Sequence, residues 1–176
     1  MGKLWVPVAA LTLAACAAWR QPKAVEVFGQ VGYGRANDDE GSVGSGALYG
    51  GALTVPWTSH WAVDVAIHHI RTTRATAPTW SFGTRRTLLS PAIQYRRGDE
   101  HAYGFVGFGA GAAFQEAFFR QEGRETASSD TGLTLHTQAG FVAAPAGRFL
   151  LRADLYLVFR YVAPDIGVRI GLGYRF

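Results

Sequence analysis

Apolar and polar positions alternate along most of this chain with a period of two, the spacing of strands whose two faces meet different surroundings. The final stretch shows it most plainly. Ile166, Val168, Ile170, Leu172, Tyr174 and Phe176 share one face, while Gly167, Arg169, Gly171, Gly173 and Arg175 share the other. An unbroken apolar face opposite glycine and arginine suits lipid on one side and a narrow polar lumen on the other. The same period predicts seven earlier strands, over 24–35, 47–57, 61–71, 84–97, 102–119, 132–144 and 149–161. Short turns are predicted at 58–60, 98–101, 145–148 and 162–165, and long loops at 36–46, 72–83 and 120–131. Short connections at one end and longer ones at the other, the short last connection at 162–165 excepted, predict an all-β, eight-stranded antiparallel up-and-down transmembrane barrel over 24–176. Both of its termini fall at the short-turn, periplasmic end.

The opposite face collects the polar residues. Glu26, Asp64, Arg86, Arg96, His136, Arg152, Asp154, Arg160 and Arg169 are predicted to point into the lumen, with His68, Gln94 and Gln138. Five of these are arginines and three are acids, which leaves a positive surplus for lumenal water or an anion to absorb. Charges held away from water must be paired, so this set is expected to fill and stiffen the barrel. Aromatics fall toward both ends of the strands, as interfacial girdles would. Trp57, Trp61, Tyr95, Tyr103, Tyr174 and Phe176 lie near the short turns, and Tyr33, Tyr49, Phe114 and Tyr161 toward the loops.

Composition adds to this picture without redirecting it. The 22 glycines among 176 residues fit strands packed closely around an axis. The longest apolar run, 4–18, is shorter than the ~20 residues a membrane-spanning helix needs. It follows Lys3 and ends in small residues, the layout of a secretory signal peptide. Cleavage after Ala17 would leave a tether at 18–23. Leu13-Ala14-Ala15-Cys16 alternatively offers a lipobox, with a signal of 1–15 and a lipid on Cys16. Cys16 is the only cysteine, so no internal disulfide forms. Loss of Lys3 lowers the net charge from +4 to +3, and the arginines are scattered singly, which argues against nucleic acid.

Taken together, the leader, the strand Leu89-Ser-Pro-Ala-Ile-Gln-Tyr95, the run Gly104-Phe-Val-Gly-Phe-Gly-Ala-Gly111 and the terminal Gly171-Leu-Gly-Tyr-Arg-Phe176 resemble the small bacterial outer-membrane β-barrel family, the eight-stranded OmpA- and OmpX-like type. The resemblance implies residence in the bacterial outer membrane, as a monomer in contact with outer-membrane lipids and lipopolysaccharide. It also implies that the barrel-assembly machinery reads Phe176, with Tyr174, Leu172 and Ile170 before it. It leaves activity open, because such barrels include anchors, adhesins, host-interaction factors and lipid-modifying enzymes.

The expected role is structural, adhesive or envelope-interacting, without catalysis, metal or cofactor, with extracellular ligands met through 36–46, 72–83 and 120–131. The alternatives are a lipid A-modifying acyl hydrolase or transferase, a small-solute channel, and a lipocalin-like lipid-binding lipoprotein. The acyl-transfer reading needs a histidine, a hydroxyl and an acid together; His136-Thr137-Gln138 lacks the His-x-Ser spacing, and Asp64 and His68 lie roughly 13 Å apart along one strand face. A lipocalin-like barrel needs an apolar interior and a Gly-x-Trp, and no Gly-x-Trp occurs. Arg71, Arg74, Arg85 and Arg86 flank the second loop, where they read either as ordinary solvated loop charges, the commoner case, or as contacts for lipopolysaccharide phosphates.

Overall fold

The computed structural model describes residues 24–38, 41–77, 79–122, 124–160 and 164–176. The leader with Cys16, the tether 18–23 and Tyr161 lie outside the described residues. Each alternating segment forms a strand: β1 (Glu26–Asp38), β2 (Gly41–Pro56), β3 (Trp61–Ala77), β4 (Trp80–Gly98), β5 (Ala102–Gln121), β6 (Arg124–Ala146), β7 (Phe149–Phe159) and β8 (Asp165–Arg175). Every strand pairs antiparallel with its successor, and β1 pairs with β8 to close the barrel.

Alternation settles which face is which. Val31, Ile67, Phe108, Leu135, Leu155 and Leu172 stand exposed around the outside, and Glu26, Asp64, Arg86, Arg152 and Arg169 are buried inside. The outward set makes an apolar belt with no soluble partner surface, the arrangement of a barrel bathed in lipid. The interior is charged and hydrogen-bonded, which rules out the lipocalin-like alternative. Ring contacts cluster toward the short-turn end, where Trp61 meets Tyr95 edge-on at 5.2 Å and Tyr174 meets Phe149 and Phe176 at 5.6 and 5.1 Å. Tyr103 does not belong to that girdle. It points inward, and its hydroxyl donates to Glu26.

The three long loops are mostly strand. β1 and β2 pair as far as Asp38 and Gly41, β3 and β4 as far as Ala77 and Trp80, and β5 and β6 as far as Gln121 and Arg124. Beyond the apolar belt nothing requires one face to be apolar, so the hydrophobic period stops while the backbone ladder continues. Threonines, serines and paired charges there satisfy the cross-strand positions. The short turn expected at 162–165 also differs, because Asp165 already belongs to β8 and faces the lumen.

The glycine-rich inner face of β8 has a packing reason. A Cβ at Gly167 would lie 2.3 Å from the Tyr156 ring, and one at Gly173 would lie 2.4 Å from the Phe28 ring. The lumenal aromatics lie flat against these strand positions, and only glycine leaves them room.

Candidate functional site

From the short-turn end upward, the lumen is built in layers that the strand registers bring to common heights. At the mouth, Glu26 receives Arg96 Nη2 at 2.9 Å and Arg175 Nη2 at 2.9 Å, with the Tyr103 hydroxyl as third donor. The Arg96 guanidinium lies 3.8 Å from the centre of the Tyr103 ring. Above this sits an apolar layer containing Phe28, Phe105, Val142 and Leu150.

The central layer carries two acids and two arginines. Arg152 reaches Asp64 at 3.0 Å through Nη1 and Asp154 at 2.7 Å through Nε. Arg169 Nε donates to the other oxygen of Asp154. Thr54 donates to Asp64, Gln138 Nε2 donates to Asp64 at 3.0 Å, and Gln30 Nε2 donates to Asp154 at 3.1 Å. Arg169 Nη1 lies 3.1 Å from His68 Nδ1, and His68 Nε2 lies 2.9 Å from Gln30 Oε1. Arg169 Nη1 also lies 2.9 Å from His68 Nε2, so the ring is held between a guanidinium donor and an amide acceptor. Phe105 flanks Arg152 at 4.6 Å and Tyr156 flanks Arg169 at 4.7 Å. The delocalised guanidinium tolerates such a flank better than a compact ammonium would.

A second apolar layer follows, with Leu48, Ile70, Leu88, Tyr156 and Val158. Near the outer end Arg86, fully buried, donates to Asp165 and to Gln115 Oε1 at 2.6 Å. Asp165 also accepts the Asn37 backbone N–H at 2.7 Å. Arg160 donates to the same Gln115 oxygen at 3.0 Å and pairs with Asp130 at 2.5 Å.

All nine lumenal residues named from the sequence face inward, but the positive surplus is smaller than expected: with Arg175 sharing Glu26, six arginines meet five acids. Asp165 and Asp130, read as turn and loop, supply acids to Arg86 and Arg160. Each of the six arginines therefore has a carboxylate. Sequence reasoning also missed Tyr103, Gln30, Thr54, Asn37, Gln115 and Arg175 as members of the layers. Their inward parity was visible for all but Asn37, which fell in a predicted loop; their bonding partners depend on strand stagger, which alternation does not reveal.

His136 stands apart from the layers: both its ring nitrogens, with the Gln94 amide nitrogen and the Thr134 and Tyr156 hydroxyls, are buried without a partner among the described residues. On the outer face, His69 Nδ1 lies 3.1 Å from Thr87 Oγ1 and its ring 5.1 Å from that of Tyr49. This is a histidine and a hydroxyl, but among the described residues no carboxylate bonds to either. The third member of an acyl-transfer triad is missing from that pair.

The arginine group beside the second hairpin divides. Arg86 turns into the lumen, and the Arg74 side chain lies outside the described residues. Arg71 and Arg85 lie on the outer face above the belt, 5.7 and 4.7 Å from the Phe118 ring centre. Phe118 is only 2% exposed although it faces outward. It fills the space over Gly83, where a Cβ would lie 2.6 Å from it. Arg85 also binds Glu116 at 3.1 Å and Glu125 at 2.8 Å, and Arg120 binds Glu125 at 2.6 Å. These pairs hold the Glu125 carboxyl below the usual glutamate range, with the hydrogen bond from Arg120 as the largest cause. Among the described residues no strand pairs with β6 above Leu135, so Arg124–Thr134 forms one free edge of a sheet that stands above the barrel. Those ten steps amount to roughly 33 Å of strand.

No protein-family model and no curated protein matches the chain. Solved structures do match its fold. Neisserial surface protein A shares 15% identity at TM-score 0.63, covering 86% of this chain and 97% of that one. Ail, the attachment invasion locus protein of Yersinia pestis, shares 17% at TM-score 0.61 over 87% and 97%, in a complex with the heparin analogue sucrose octasulfate. The N-terminal β-barrel domain of Pseudomonas aeruginosa OprF shares 16% at TM-score 0.57 over 89% and 100%. The fold is that of the small eight-stranded outer-membrane barrels.

Proposed function

We propose that this barrel stands in the bacterial outer membrane and acts there as a non-catalytic envelope protein, presenting a rigid extracellular sheet for adhesive contact with anionic surface glycans. The observation that carries this reading is the contrast between the two ends. The lumen is packed with interlocking ion pairs and apolar layers, whereas β4, β5 and β6 extend well past the apolar belt as an ordered sheet. A chain whose interior is filled by side chains and whose outer end is stiffened is suited to work through its outer surface.

The chemistry of that surface favours polyanionic sugars. Arg71 and Arg85 flank Phe118 on one face, Arg120 is joined to Arg85 through Glu125, and Glu116 also holds Arg85 in place. Fixed guanidinium groups beside a closed aromatic contact suit sulfate or phosphate groups on a saccharide. The complex of Ail with a heparin analogue supports the same ligand class for a barrel of this fold. Lipopolysaccharide phosphates share that chemistry and are the nearer source.

The test uses the full barrel in nanodiscs against immobilised heparin and against purified lipopolysaccharide. Binding that weakens steeply with salt, and that falls in the Arg71→Gln, Arg120→Gln double variant, is expected. No binding to either at low salt would end the glycan reading. Unchanged lipid A acylation on expression of the barrel, with or without His69→Ala, is the matching expectation for the absence of catalysis.

A further inference from the structure

We propose that the seam where β7, β8 and β1 meet retains one anionic phospholipid of the periplasmic leaflet, with an acyl chain in an apolar groove and the phosphate on Arg148. This rests on the barrel standing in a bilayer with its short turns on the periplasmic side.

The groove consists of two recesses on the outer surface. One, of about 790 Å³, is lined by Gly29, Val31, Phe141, Leu151, Ile170 and Leu172. The other, of about 420 Å³, lies nearer the short turns and is bounded by Val27, Phe149, Tyr174 and Phe176. Leu151 and Leu172 line both, so the two recesses adjoin along the strands. From Ile170 to Phe176 the tilted strand covers roughly 15 Å along the membrane normal, half of a hydrocarbon layer of about 30 Å. The groove therefore has the depth of one leaflet.

Gly29 opens it. A Cβ built there meets nothing within 4 Å, and the backbone does not need glycine's left-handed conformation. Neither a turn nor a close approach accounts for this glycine, and glycine within a strand weakens it. Its effect is to leave the floor of the recess empty beside its cross-strand partner Leu172.

The foot of the groove supplies charge. Arg148 is exposed in the β6–β7 turn, and its Nη1 donates to the Tyr174 hydroxyl at 3.4 Å. Tyr174 forms part of the groove wall, so the guanidinium stands where the headgroup of a chain in the groove would emerge. A net negative headgroup gains this contact in full, whereas a zwitterionic one brings its own compensating amine. Lipopolysaccharide occupies the opposite leaflet and does not reach Arg148.

Native mass spectrometry of the purified barrel in non-ionic detergent tests this, with phosphatidylglycerol or phosphatidylethanolamine of matched chains added in turn. One phosphatidylglycerol is expected to be retained at about fivefold lower lipid concentration than phosphatidylethanolamine, the factor one interfacial cation supplies. Gly29→Leu should abolish the retained adduct of either lipid, and Arg148→Gln should bring the two lipids level. Equal retention of both lipids by the wild-type barrel would overturn the proposal, as would an undiminished adduct in Gly29→Leu. Arg148 is exposed, so its variant decides the headgroup contact even if the glycine variant folds poorly. Heat-dependent electrophoretic mobility, recorded on each sample, separates failure of the lipid site from failure of the barrel reading.

Discussion

Replacing Asp154 with asparagine should destabilise the barrel by stranding a buried arginine. Asp154 receives Arg152, Arg169 and Gln30. Arg152 keeps Asp64 after the change. Arg169 keeps only the neutral Gln138 oxygen and the His68 ring, and it is buried. A buried charge stripped of its partner costs about 3–5 kcal/mol, and the stranded group here is Arg169. Removing the stranded charge as well, in Asp154→Asn with Arg169→Met, should restore most of the loss, because methionine fills similar space beside Tyr156 without needing a counter-charge. Urea unfolding in lipid vesicles, followed by tryptophan fluorescence, reads both variants. An Asp154→Asn variant within about 1 kcal/mol of wild type would refute the reasoning, as would a double variant less stable than the single one.

Other outcomes follow from the same geometry. Phe118→Ala empties the space between Arg71, Arg85 and Gly83; with about 2 kcal/mol of local burial lost, amide exchange in the upper β4–β5 ladder should quicken about thirtyfold while the lower barrel is unchanged. The Glu125 carboxyl is held below its ordinary range, so the stability it lends the β5–β6 hairpin is fully present above about pH 4.3 and is lost as pH falls through the lowered value. Hairpin amide protection factors, with the intrinsic pH dependence of exchange divided out, should therefore be flat from pH 7 to about 5 and fall only at more acid pH; a loss of protection near neutrality would contradict the assignment. Deletion of Phe176, whose ring packs edge-on against Tyr174, should lower the amount of barrel assembled in the outer membrane, measured against total protein synthesised.

The lower two thirds of the barrel was legible in the sequence because lipid on one side and a lumen on the other impose a strict period of two. Ile166 to Phe176 showed both faces correctly, and so did the inward set from Glu26 to Arg169. Where the belt ends, so did the signal: Ser81, Ser128 and Arg124 carry no apolar period although they lie in ladders. Asp165 and Asp130 were missed for that reason, and with them the charge balance of the upper layer. The pairing of Arg152 with Asp64, 88 positions apart, depends on the stagger of the closed barrel, which no single strand records. Tyr103 was misplaced because an aromatic near a strand end reads equally as a girdle residue or as a lumenal donor.

The central claim is that this chain is a closed barrel spanning the outer membrane. Electrophoresis of detergent-extracted outer membranes in mild SDS, with and without boiling, tests it most directly. A closed barrel runs as a compact, faster band without boiling and converts to the full-length mobility on heating. A single band unshifted by heat, recovered in the soluble fraction, would contradict it.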